Sequence, residues 1–453
     1  MRGSVTFASL KPLMKIPSAL ALSVMLSLSQ ASATDYHTWA PTPPMGWNSW
    51  DCFATTINEQ QAKAEIDAMA SKLRSHGWNY FVVDHQWFEP GAHDFQYRKR
   101  PVLVMDDYGR LQPATNRFPS AANGAGFKSL ASYAHSKGLK FGIHIMRGIA
   151  RQAVEKNTPI FGTSYHATDI ADQSSTCSWC DDMYGVDMSK PGAQEYYNTR
   201  IKQYADWGVD FLKVDDLSRP YHAPEVEAIR KAIDATGKPI VFSTSPGETP
   251  LSQGEHVASH ANMWRVSDDF WDKWDHLMPQ FKRLADWVTY RKPGAWPDGD
   301  MLPLGVIDLG RRKTNFNPDE QRTLMTLWSI ARSPLILGGD MTKLDEATLA
   351  MLTNDEVIAV NQKSDNNHQL FRTDDGFIAW IADVPNSKDK YLAVFNTRDQ
   401  ATDVPVQIAQ LGLSESIHAR DLWSHKQIGS YKDTFAPNIP PHSAGFYRVS
   451  SGS

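Results

Sequence analysis

The sequence predicts an α/β protein, a (β/α)8 TIM barrel followed by a C-terminal antiparallel β-sandwich. Three observations carry this expectation. Short apolar runs alternate with amphipathic stretches about eight times between residues 45 and 352. Beyond residue 354 the texture changes to short runs of β-formers separated by Asp, Asn, Gly and Pro. No Gly-rich phosphate-cradling turn opens the first helix, which argues against an open doubly wound sheet.

Taken in order, residues 1–33 read as an address label. Lys11 and Lys15 precede an apolar run at 16–28, and Ala31-Ser32-Ala33 supplies a cleavage signal. The run is too short for the ~30 Å of a bilayer core, so a secretory signal peptide is expected, with the mature chain secreted or periplasmic. Met14 is an alternative start. Within the barrel, residues 34–353, strands are expected at 80–83, 140–145, 210–214, 239–243, 261–266 and 334–337. These are short apolar runs, the signature of strands buried on both faces. Helices are expected between them at 59–74, 127–136, 193–207, 224–235, 271–290 and 318–331. Asn58 caps the first, and Asn317 with Pro318 opens the last. Gly138 and Gly208 stand where left-handed C-terminal caps belong. In the β-sandwich, residues 354–453, runs at 370–372, 377–382, 391–396, 404–408, 417–422 and 444–449 read as strands, with no large helix.

Composition excludes several classes. The 453 residues carry 46 basic and 51 acidic side chains, net −5, without long like-charge blocks, so no nucleic-acid partner is expected. No later run is apolar enough for a membrane. The 15 Trp are many, and an indole's flat apolar face with its polar N–H suits sugar rings as well as core packing. Cys177 and Cys180 form a C-x-x-C that could close a small loop as a disulfide. No thioredoxin-like context supports a redox centre, and a zinc site needs more ligands than one C-x-x-C supplies. Cys52 reads as a buried thiol.

Polar residues ending apolar barrel strands are the first suspects for chemistry. In 210–216, Lys213 and Asp215 share a strand face, and a cation beside Asp215 would keep it an anion. In 263–269, Arg265, Ser267 and Asp269 share a face if the strand stays regular. Two carboxylates at one barrel mouth suit glycoside cleavage, one attacking the anomeric carbon and one protonating the leaving oxygen. Asp84 and Asp300 end other runs and suit hydroxyl groups or a metal; no H-x-H or H-E-x-x-H spacing supports the metal, and none is expected.

Several motifs in order resemble glycoside hydrolase family 27, the α-galactosidase group of clan D. They are Pro44-Met45-Gly46-Trp47-Asn48-Ser49-Trp50, the segments 138–143, 205–215 and 264–269, Trp296-Pro297-Asp298-Gly299-Asp300, and the segment 328–335. The resemblance runs from residue 43 to the C-terminus. It implies the same barrel and β-domain, no cofactor, and a retaining hydrolase acting on a glycan or oligosaccharide with a terminal α-D-galactosyl or related sugar. Asp215 matches the family nucleophile and Asp269 the acid/base, with Trp47, Lys213, Arg265, Asp84 and Asp300 at sugar-contacting positions. Three positions depart from the galactosidase pattern. The acidic pair that reads the 4- and 6-hydroxyls becomes Asp84-His85, His144 replaces a tyrosine, and Ser245 replaces a glutamate in the specificity loop. The serine resembles the α-N-acetylgalactosaminidases, and the changed pair would suit β-L-arabinopyranose, which lacks the hydroxymethyl group. A catalytically inert sugar-binding barrel is the rival, and retention of both Asp215 and Asp269 argues against it.

Overall fold

The computed structural model describes residues 35–245 and 247–452, with positions 3, 6 and 8. Apart from those three positions, the expected signal peptide lies outside the described residues. Eight parallel strands form the barrel: β1 (Met45–Asn48), β2 (Tyr80–Val83), β3 (Lys140–Met146), β4 (Phe211–Asp215), β5 (Val241–Thr244), β6 (Met263–Arg265), β7 (Trp296–Asp298) and β8 (Leu335–Leu337). Each pairs with its successor from β1 to β7, and β8 pairs with β1. The ring closes just beyond β7, where Leu302 N donates to Ile336 O (2.7 Å) and accepts from Gly338 N through its own carbonyl (2.9 Å).

Six of these strands fall on the expected runs with small shifts at their ends. β1 and β7 were not expected, because they are short and carry Gly46, Asn48, Pro297 and Asp298, poor strand formers all. Packing explains them. A Cβ at Gly46 would lie 2.2 Å from Tyr80 O, so only glycine lets β1 approach β2 this closely.

Strand alternation sorts the side chains into two layers. Tyr80, Val82, Phe211, Val241, Met263, Trp296 and Ile336 form one apolar cluster, the filling of the barrel. Trp47, Phe81, Val83, Ile143, Leu212, Val214, Trp264 and Leu335 join the larger core between the strands and the helices outside them. The helices sit close to where their caps place them. Asn58 caps α1 (Glu59–Lys72) through a reciprocal box with Gln61, and Asn317 accepts from the Asp319 and Glu320 amides at the start of Pro318–Ala331. Gly208 ends Ala193–Trp207 in the left-handed region.

The C-terminal part is a six-stranded antiparallel sheet faced by two small strand pairs, Thr402–Asp403 with Asn438–Ile439 and Val406–Gln407 with Thr434–Phe435. Ala379, Ile381, Leu392 and Val394 pack on that second layer, whereas Ile378, Trp380, Ala393 and Phe395 join the barrel-side core. The inner strands of the sheet are therefore buried on both faces, and the sheet braces the barrel. The Trp274 and His442 rings stack at 4.0 Å, and Thr323 Oγ1 donates to His442 O (2.7 Å). Several elements fall outside the expected runs, among them the two-residue strands Thr434–Phe435 and Asn438–Ile439 and two longer elements. The edge strand Lys426–Lys432 is polar and mostly exposed, and helix Asp355–Lys363 is only nine residues long.

Candidate active site

A cavity of about 470 Å3 opens where the barrel strands end, within the size range of small-molecule sites. Six carboxylates line it (Asp51, Asp84, Asp215, Asp268, Asp269 and Asp300) with Lys213, Arg219 and Arg265 among them. Each predicted inward residue arrives by alternation: Asp84 continues Tyr80 and Val82, Lys213 and Asp215 continue Phe211, and Arg265 continues Met263.

Asp215 is almost wholly buried. Its Oδ2 lies 2.9 Å from His144 Nε2, and its Oδ1 accepts the Asp216 amide at 2.5 Å. Register sets this contact, since β3 and β4 pair His144 with Lys213 and Met146 with Asp215. The expected Lys213–Asp215 pair is not formed. Lys213 Nζ instead reaches Asp84 Oδ2 at 2.8 Å, and Asn48 Nδ2 donates to the same oxygen at 2.7 Å. Burial works to raise the Asp84 carboxyl, but the Lys213 ammonium, His144 and these hydrogen bonds prevail and hold it well below the usual carboxylate range. Burial in turn works to lower Lys213, and Asp84 and Asp300 together hold it above its ordinary value.

At the opposite wall Arg265 Nη2 bridges Asp300 Oδ2 (2.8 Å) and Asp269 Oδ1 (3.3 Å). Asp300 also accepts the Phe270 amide at 2.8 Å, and burial raises its carboxyl. Asp269 is the open member: its side chain is 59 % exposed, against 9 % for Asp215. Asp268, also in the lining, is engaged in a two-pronged pair with Arg219 (2.7 and 3.1 Å). Ser245 lies in the lining, buried, with an Oγ that has no hydrogen-bond partner among the described residues.

Two expected sugar contacts lie behind the wall. Trp47 is wholly buried in the strand–helix layer, stacked on Phe81 at 4.8 Å, with Nε1 donating to Gly339 O. His85 follows Phe81 and Val83 in parity and lies beside Cys180 and Asp182. Neither lines the cavity. The same alternation that selects Lys213 and Asp215 would have excluded both. The tryptophans in the lining are Trp50, Trp179 and Trp271; Trp50 meets Phe95 (5.7 Å) and Tyr97 (6.1 Å), and Phe95 meets Trp271 at 5.7 Å. With Trp179 at the rim these rings offer flat apolar faces to a sugar. They were missed because most sit on loops without periodicity. Asp51 was missed too; burial first, and then Asp300, push its carboxyl well above the usual range. The expected disulfide is also absent: Cys177 and Cys180 are both free, buried thiols.

Comparison with known proteins agrees with the geometry. The family model described as alpha galactosidase A matches residues 42–190 and 181–363, and the alpha galactosidase C-terminal beta sandwich domain matches 374–449. An α-galactosidase of Coffea arabica is 30 % identical over 414 residues, covering 90 % of this chain and 93 % of its own. Alpha-galactosidase A of Cellvibrio japonicus is 27 % identical, covering 95 % and 97 %. Among solved structures, a family 27 β-L-arabinopyranosidase from Geobacillus stearothermophilus superposes with a TM-score of 0.90 at 48 % identity, covering 92 % of this chain and 98 % of its own. Barrel, β-domain and a cavity lined by carboxylates define a glycoside hydrolase of the α-galactosidase type. The chain belongs to the alpha galactosidase A family, within glycoside hydrolase family 27.

Proposed function

We propose that this enzyme removes terminal sugars of galactose ring stereochemistry with retention of configuration. One observation carries the reading: carboxylates from two separate strand ends, Asp215 and Asp269, line one cavity in opposite settings. Asp215, immobilised by His144 and the Asp216 amide, attacks the anomeric carbon. Asp269, open to solvent and steered by Arg265, protonates the leaving oxygen as the glycosyl-enzyme forms, then deprotonates the incoming water. Asp84, ionised and acceptor-only, receives sugar hydroxyls beside Lys213, with Ser245 and Asp300 completing the pocket. Trp50 and Tyr97 supply its apolar wall.

β-L-Arabinopyranosides are a second substrate class under this reading. The support is the 48 % identity to the Geobacillus arabinopyranosidase, well above that to the galactosidases compared. A panel of aryl α-galactoside, β-L-arabinopyranoside, α-N-acetylgalactosaminide and α-glucoside, followed by proton NMR of the first-formed sugar, tests both points. Turnover of the first two with the anomeric configuration kept is expected. Inverted product would overturn the mechanism, and indifference to the arabinoside would remove the second substrate class. We also propose export after cleavage behind Ala33; the mature N-terminus should then be Thr34.

A further inference from the structure

Behind the cavity wall lies a cluster that the mechanism does not use. His85, Cys180 and Asp182 are buried, and one donor atom of each lies within 4.8 Å of the other two. His85 Nε2 is 3.6 Å from Cys180 Sγ and 3.5 Å from Asp182 Oδ2. A tetrahedral zinc with Zn–N and Zn–O of about 2.0–2.1 Å and Zn–S of about 2.3 Å places N and S about 3.6 Å apart, and N and O about 3.4 Å apart. Both measured spacings match an ion seated between the donors.

Charge points the same way. The Asp182 side chain has no exposure, yet its only ion-pair neighbour among the described residues is His85, with no Lys or Arg against it. Its Oδ1 has no hydrogen-bond partner among the described residues, and its Oδ2 accepts from Gln86 Nε2 at 2.5 Å. A buried carboxylate left this way lacks a cation. One C-x-x-C is too few ligands for zinc, but the fold adds a histidine from the end of β2 and an aspartate two residues beyond Cys180.

We propose that His85 Nε2, Cys180 Sγ and an Asp182 oxygen hold a zinc ion, three protein ligands with the fourth tetrahedral position left to water. Binding displaces the Cys180 proton to solvent, so the dication meets one thiolate and one carboxylate and the site becomes neutral. The ion ties loop 177–182, which carries Trp179 at the cavity rim, to the wall behind Tyr97 and His144, whose ring centroids are each 5.1 Å from that of His85. Cys177 lies outside the cluster and serves as a control.

The test uses full-length enzyme purified without chelator. Metal analysis should find about one zinc per chain in wild type and in Cys177→Ser, with affinity more than about 100-fold weaker in Cys180→Ser and Asp182→Asn. Cobalt substitution should give a thiolate-to-cobalt absorption band that Cys180→Ser abolishes and Cys177→Ser retains. Stripping the metal should lower Tm and raise KM more than it lowers kcat, both reversed by zinc alone. Wild type without zinc that also fails to take it up, equal zinc loss in Cys177→Ser and Cys180→Ser, or a Cys177–Cys180 disulfide by mass spectrometry in active enzyme would each overturn the proposal.

Discussion

Replacing Lys213 by Met tests whether the Lys213–Asp84 pair holds the floor of the pocket. The substitution keeps most of the stem volume and deletes the ammonium 2.8 Å from Asp84 Oδ2. Removing one partner of a buried pair costs roughly 3–5 kcal/mol. Asp84 retains the Asn48 amide at 2.7 Å and Lys213 is 15 % exposed, so the lower end, about 3 kcal/mol, is expected. For a chain of 453 residues that is a fall of only about 3 °C in Tm near neutral pH. The pH dependence follows from the two shifts. Asp84 is held below its unfolded value, so its contribution is complete above about pH 4 and disappears only as pH falls through the depressed folded value. Lys213 is held above its unfolded value, so its share is complete below about pH 10 and is lost as pH rises through the folded value. In Lys213→Met, burial still raises Asp84 while only His144 and the Asn48 amide remain to oppose it, so the carboxyl moves upward and the deficit should shrink as the pH is lowered from 8 to 5. Calorimetric melts of both proteins across that range measure it. A deficit below about 1 kcal/mol at pH 7, or one unchanged from pH 8 to 5, would refute the reasoning.

Asp269→Ala should slow alkyl glycosides and oligosaccharides about 10²–10⁴-fold more than activated aryl glycosides, provided glycosylation limits the rate. Asp268→Ala should leave both within about threefold, since its exposed pair with Arg219 is worth only about 0–1 kcal/mol; the leaving-group pattern in Asp268→Ala would exchange the two roles. Trp50→Ala should raise KM about tenfold, some 1.4 kcal/mol of lost stacking, without altering Tm in proportion. Trp47→Phe should do the reverse, losing about 1–3 kcal/mol of stability with the Gly339 hydrogen bond and leaving KM unchanged, as steady-state kinetics paired with melts would show.

The barrel was legible where strands are buried on both faces, because short apolar runs such as 80–83 and 210–214 alternate with amphipathic stretches. It was illegible at β1 and β7, where closure of the ring and the Gly46–Tyr80 approach decide what propensity does not. Motif spacing singled out the two carboxylates. Their partners depended on register between strands distant in sequence, so Lys213 was paired with Asp215 when His144 holds that place. Trp47 and His85 show the converse failure, in which a motif position outweighed the simpler test of strand parity. Phe95, Tyr97 and Trp179 reach the cavity on connections without period, and no local signal marked them. The C-x-x-C was read without its distant partners, since nothing in the spacing joins residue 85 to residue 182.

Asp215 as the covalent nucleophile is most directly tested by incubating wild type with an activated 2-deoxy-2-fluoro glycosyl fluoride of galactose configuration and mapping the labelled peptide by mass spectrometry. Time-dependent inactivation with one fluorosugar on the peptide bearing Asp215, located there by fragmentation and absent in Asp215→Ala, is the predicted result. A label on any other residue, or inactivation that leaves Asp215 unmodified, would contradict it.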